Sequence, residues 1–109
     1  MRTYKILLLI IWLSLGLTSF TVEQPATQGY EERRNKQGVL QYSAIDSNND
    51  GILDTFYYYD NNGKLERQEL DSNHDGKIDI IIYYVDGVYI SRIERDIDGD
   101  GSFRDKKVF

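Results

Sequence analysis

From residue 30 onward the apolar residues come in short runs, separated by clusters of Asp, Asn and Gly. TFYYY (55–59) and IDIIIYYV (78–85) are dense in aromatic and β-branched residues, the composition of strands. Each run is followed by a turn signal, Asn61-Asn62-Gly63 or Asp86-Gly87, that suits a tight hairpin, and then by a return strand near Lys64–Leu70 or Val88–Arg95. Further strands are expected at Tyr30–Arg34, at Val39–Ile45 and near Lys106–Phe109. The fold class is therefore all-β, an antiparallel meander of about five to seven strands. Tight turns should lie at one end of the sheet and Asp-rich loops at the other. Positions 53, 55, 57 and 59 read Leu, Thr, Tyr, Tyr, and positions 56 and 58 read Phe and Tyr, so the alternation does not say which face is covered.

The N-terminus follows a different pattern. Arg2 and Lys5 precede an apolar run from Ile6 to Phe20, as in a secretory signal helix over residues 1–21. The run is short for a membrane span, which needs about 18 or more apolar residues. Ser19 and Thr21 permit a cut after Thr21; an uncleaved anchor is the alternative, and the only membrane contact expected. Residues 22–29, which hold the only Pro, read as a linker to a single domain over 30–109.

The Asp-rich clusters recur at a fixed interval. DSNNDGILD begins at Asp46, DSNHDGKID at Asp71 and DIDGDGSFRD at Asp96, each 25 residues after the last. Between 46–70 and 71–95, 10 of 25 positions are identical, where chance gives one or two, so the segments read as duplicated loop–hairpin units with a partial third at 96–109.

Charge and composition narrow the chemistry. The net charge is -5, and residues 1–21 carry two bases and no acid, so the remainder is more acidic still. Nucleic acid is not an expected partner, because phosphate binding wants clustered Lys and Arg. A domain this short buries a thin core and commonly needs a staple. With no Cys in the chain that staple is not a disulfide, and a metal ion is the obvious substitute.

The loops follow D-x-[DN]-x-D-G. Calcium takes six to eight oxygens at about 2.3–2.6 Å, and alternate short acidic side chains in a tight loop supply them. The first loop offers Asp46, Asn48, Asp50, the Ile52 carbonyl and Asp54. The second offers Asp71, Asn73, Asp75, the Lys77 carbonyl and Asp79. The third offers Asp96, Asp98, Asp100 and the Ser102 carbonyl, but Arg104 holds its ninth position, leaving Asp105 or water as the substitute. No bidentate Glu stands at position twelve. Glu69 and Glu94, two residues before the second and third loops, are candidates for the missing ligand. Affinities in the ~0.1–1 mM class of extracellular modules are expected.

These loops resemble the calcium loops of dockerins and type 3 thrombospondin repeats. The whole unit, with its YYDNNGKLERQELDSNHDGKID stretch, is similar to tandem repeats of bacterial secreted or envelope proteins described as EF-hand-like. The resemblance implies calcium binding and a secreted, periplasmic or cell-envelope location. Strand formers flank the loops here, so the helical EF-hand fold is not expected.

Competing readings exist for each feature. Asp, Asn and Gly also form metal-free turns. His74, at the fourth loop position, reads as inert and solvent-facing. The Tyr cluster (57, 58, 59, 83, 84 and 89) reads as packing, with a platform for a glycan or protein partner as the alternative. Arg67-x-Glu69 and Arg92-x-Glu94 read as cross-strand charge pairs. No nucleophile or acid–base pair suggests an enzyme.

Overall fold

A computed structural model describes residues 29–109; the expected signal segment and residues 22–28 of the linker lie outside it. Seven strands follow one another: β1 (Tyr30–Arg34), β2 (Leu40–Ile45), β3 (Thr55–Tyr59), β4 (Leu65–Leu70), β5 (Ile80–Val85), β6 (Tyr89–Arg95) and β7 (Asp105–Val108). They form one sheet in the order β1-β2-β3-β4-β5-β6-β7, and every pair is antiparallel. The all-β meander is thus observed, at the upper end of the expected strand count. Strand starts lie within two residues of the expected positions, because the Asp clusters and turn residues mark the breaks.

The β5–β6 turn shows why. Asp86 (φ 56°) and Gly87 (φ 72°) both take left-handed backbone, the requirement of a type I′ turn, and Val88 N–H closes it on the Val85 carbonyl at 3.3 Å. A Cβ at Gly87 would also stand 3.2 Å from Lys64 Cβ, so neighbouring turns touch. The other two turns use an Asx device. Asn35 Oδ1 accepts the N–H groups of Gln37 and Val39 at 3.0 and 2.9 Å, and Asp60 Oδ1 accepts those of Asn62 and Lys64 at 2.8 and 2.9 Å.

Among the described residues there is no second layer. Ala44 is the one buried hydrophobic residue, and no large side chain is fully buried. The register sorts the side chains onto two faces. One carries the row Arg33, Tyr42, Tyr58, Arg67, Tyr83, Arg92 and, beside it, the row Glu31, Ala44, Phe56, Glu69, Ile81, Glu94. Here guanidinium groups lie on tyrosine rings: Arg33 over Tyr42 at 4.5 Å, Arg67 over Tyr58 at 4.2 Å and Arg92 over Tyr83 at 4.0 Å. Cation–π contacts of this kind contribute about 0.5–1 kcal/mol at exposed sites.

The opposite face is apolar at its centre. Its rows run Glu32, Ser43, Tyr57, Gln68, Ile82, Ile93, Lys107 and Tyr30, Ile45, Thr55, Leu70, Ile80, Arg95, Asp105. Tyr84 donates to Gln68 Oε1 at 3.0 Å, and Ser43 Oγ lies 3.3 Å from the Tyr59 hydroxyl. The leucine and isoleucines of this face are half-buried, covered in the plane by their neighbours and, among the described residues, by nothing above. Both faces therefore read as aromatic or apolar in the sequence because each carries rings or aliphatic side chains that are half-buried against their neighbours.

Candidate metal centres

The three Asp loops link β2 to β3, β4 to β5 and β6 to β7, so all stand at one end of the sheet. Their necks are tied together. Asp54 N–H closes the first loop on the Ile45 carbonyl at 3.0 Å, and Asp79 N–H closes the second on Leu70 at 2.9 Å. Asp71 N–H then reaches the Asp54 carbonyl, and Asp96 N–H the Asp79 carbonyl, each at 2.9 Å. The second and third loops thus hang from the last residue of the loop before, two strand widths or about 10 Å along the sheet, while Asp46 N–H of the first reaches the Gly29 carbonyl at 2.9 Å.

Within each loop the backbone winds around the first carboxylate. Asp46, Asp71 and Asp96 accept the N–H of the sixth residue, Gly51, Gly76 and Gly101, at 2.7, 2.8 and 2.8 Å. These glycines have φ of 85–89°, where a side chain is strained. The fourth residues, Asn49, His74 and Gly99, are left-handed as well. In the first loop Asp46 Oδ1 and Asn48 Oδ1 both accept the Asp50 N–H, at 3.2 and 3.3 Å, so both oxygens aim at one point. In the second, Asp71 and Asn73 do the same to Asp75 N–H, at 3.1 and 3.3 Å. Asp50, Asp75 and Asp100 each accept the N–H of the seventh residue, Ile52, Lys77 and Ser102, at 2.9, 2.9 and 2.8 Å.

The ninth position behaves differently. Asp54 is buried and accepts Ser47 N–H at 2.9 Å and the Thr55 hydroxyl at 2.7 Å. Burial alone would raise its pKa, but these hydrogen bonds, helped by His74, outweigh burial and hold the carboxyl below its ordinary value. Asp79 accepts the N–H and hydroxyl of Ser72 and the N–H of Asn73. These acids brace the entry of their loops.

In the third loop Asp96, Asp98 and Asp100 bring three carboxylate oxygens within 4.8 Å of one another, the one such trio among the described residues. The first two loops carry Asn at the third position, an oxygen donor without the charge. Arg104 lies against the trio, its Nη2 2.8 Å from Asp100 Oδ2 and its Nη1 3.8 Å from Asp98 Oδ2. Asp105, the sequence's substitute ligand, pairs with Arg95 at 2.8 Å.

Glu69 and Glu94 lie on the tyrosine–arginine face. Glu69 Oε1 is 3.0 Å from Arg67 Nε, and Glu94 Oε1 is 3.1 Å from Arg92 Nε and 3.5 Å from Lys106 Nζ. The two Nε–H groups make no hydrogen bond, so these are ion pairs off the N–H axis. The Tyr58 and Tyr83 hydroxyls donate to the same two carboxylates at 3.4 Å. An open cleft of about 540 Å³, lined in part by Tyr42, Phe56, Tyr58, Glu69 and Asp71, joins this face to the loops.

His74 is not simply solvent-facing. Its left-handed backbone turns the ring toward the first loop, and Nδ1 stands 3.6 Å from Asp54 Oδ2. A position-four residue reaching a neighbouring loop leaves no trace in spacing. Arg67 and Arg92 do not form the expected cross-strand charge pairs: Arg67 pairs with Glu69 along β4 and Arg92 with Glu94 along β6, because a tyrosine, not a carboxylate, stands opposite each arginine on the neighbouring strand.

The chain matches no protein-family model, no curated protein and no solved structure.

Proposed function

We propose that this chain is an exported, non-catalytic calcium-binding module of 25-residue units, in which the ion stabilises the end of the sheet. The observation that carries the reading is the winding of all three loops around the carboxylates of Asp46, Asp71 and Asp96. Oxygens from the third position aim at the same point in the first two loops, and carboxylates converge in the third. Such loops present hard oxygen donors and no sulfur, a set that suits calcium. The Ile52, Lys77 and Ser102 carbonyls would complete the loops. Glu69 and Glu94 would join only by turning away from Arg67 and Arg92. Calcium-free, the like charges are held in place by backbone N–H groups; a divalent ion would replace part of that network. Export rests on the basic and apolar N-terminus.

The test is a calcium titration of the full chain followed by melting temperature, with magnesium in parallel. Calcium should raise the midpoint, and magnesium, which resists dehydration, should do so far less. An unmoved midpoint in calcium sinks the proposal. A Glu69→Gln variant with unchanged affinity would remove Glu69 from the ligand set.

A second reading, an envelope or adhesion module holding a glycan or protein on its tyrosine-rich face, draws on the cleft beside Tyr42 and Tyr58. Weighing against it, guanidinium groups already lie over those rings. Partner binding abolished by Tyr58→Ala would favour it.

A further inference from the structure

The face bearing Ile80, Ile82 and Ile93 is built like half of a sandwich. A domain ordinarily buries a sheet's apolar face against a second layer, and the described residues supply none. The other face carries stacked Arg, Tyr and Glu side chains paired as ions, a polar surface that suits water. On the apolar face the charges stand at the two rims: Glu32 and its ion-pair partner Arg34 on β1, and Arg95, Asp105 and Lys107 on β6 and β7. Between them lie Ile45, Tyr57, Leu70, Ile80, Ile82 and Ile93. A depression of about 360 Å³ opens among Ile80, Ile82, Ile93 and Phe109, with Arg95 and Lys107 at its edge.

We infer that two copies of this chain pack these faces together as a two-fold symmetric β-sandwich. The rim charges select the arrangement. An axis parallel to the strands and above β4 sets β1 of each copy over β7 of the other. Residues of one cross-strand row then stay level, because the register places Glu32, Gln68, Ile82 and Lys107 in the same row. Gln68 meets Gln68 and Leu70 meets Leu70 at the centre. Tyr57 meets Ile82, and Glu32 meets Lys107 at both rims. Lys107 has no carboxylate within 4.0 Å among the described residues and rests 5.0 Å above the Phe109 ring. Glu32 accepts from Tyr30 and Arg34 and has lone pairs left for an ammonium. Long Glu and Lys side chains absorb the usual rotation of about 30° between packed sheets.

The area allows a weak, reversible association. Six strand spacings of about 4.8 Å and strands of about five residues give a footprint of about 500 Å² per copy. Both copies together reach about 1,000 Å², the lower limit for a specific interface.

Because the chain has no Cys, single-cysteine cross-linking of the full-length protein tests this cleanly. Packed sheets lie about 10 Å apart, so a bis-maleimide spanning that distance should join Gln68→Cys to itself. Arg33→Cys, on the other face, should not cross-link. Glu32→Lys or Lys107→Glu alone should weaken association about tenfold, since symmetry spoils two rim pairs at once. The double variant Glu32→Lys/Lys107→Glu should restore it, a rescue that a merely unfolded chain cannot give. The inference is overturned if Gln68→Cys yields no dimer, if Arg33→Cys cross-links equally, or if single reversals change nothing. A Gln68→Cys adduct to another protein in place of a second copy would also overturn it, placing a different partner on this face.

Discussion

Replacing Asp71 by Asn separates a calcium loop from a metal-free turn. Asp71 is buried, and its two oxygens accept Asp75 N–H at 3.1 Å and Gly76 N–H at 2.8 Å. Asn has one carbonyl oxygen, so one donor loses its partner and faces an NH₂ group. A hydrogen bond to a charged acceptor contributes about 1.5–3 kcal/mol, less here because Asp75 and Gly76 are exposed and water can substitute; about 1 kcal/mol is expected without calcium. With about 1 mM calcium and a dissociation constant of about 0.1 mM, an intact site adds about 1.4 kcal/mol, which the variant forfeits. For a domain of this size about 1 kcal/mol corresponds to a midpoint shift of about 4–8 °C. Thermal melts of both proteins in chelator and in calcium give the comparison. The loss should roughly double when calcium is present. An equal loss in both buffers would mean that Asp71 organises the turn alone, and the metal reading of the second loop would fail.

Arg104→Asp should place an acid at the ninth position of the third loop and remove the guanidinium from Asp100. Calorimetry should then show tighter binding at that loop, with the other sites unchanged. Asp54 carries a lowered pKa, so in calcium-free buffer its stabilisation is complete above the ordinary carboxylate value and is lost as pH falls below it. Acid melts should show that loss in the parent and a flatter profile in Asp54→Asn. A double-mutant cycle on Arg92 and Tyr83, read by chemical denaturation, should return a coupling of about 0.5–1 kcal/mol.

Much of the topology was legible because the breaks are chemically distinct. Asp86-Gly87 and Asn61-Asn62-Gly63 mark hairpins by their backbone needs; TFYYY and IIIYYV are strand-like by composition, whereas LERQEL of β4 is a strand only because the turn before it folds it back on β3. The face assignment was not legible. Leu53, Thr55, Tyr57 and Tyr59 alternate with Phe56 and Tyr58, and in a sheet to which the described residues add no second layer both sets half-bury themselves. Bulges at Arg33/Arg34, Tyr58/Tyr59 and Tyr83/Tyr84 also shift register without any Gly to signal them. At the loops, the D-x-[DN]-x-D-G spacing picks out residues whose oxygens accept the loops' own N–H groups. It could not show that Arg104 would lie on its own loop, that Arg95 would take Asp105, or that His74 would reach Asp54, since each depends on which loops and strands are neighbours.

The meander also governs how the molecule assembles. Each strand hydrogen-bonds only to those immediately before and after it, so no closure awaits a distant segment, and the entropy of joining ends stays small throughout. Hairpins can zip up in the order in which they are released from a translating or translocating machine. A further loop–hairpin unit appended at the open β7 margin would extend the sheet without disturbing what had already formed, which makes lengthening by tandem duplication structurally inexpensive.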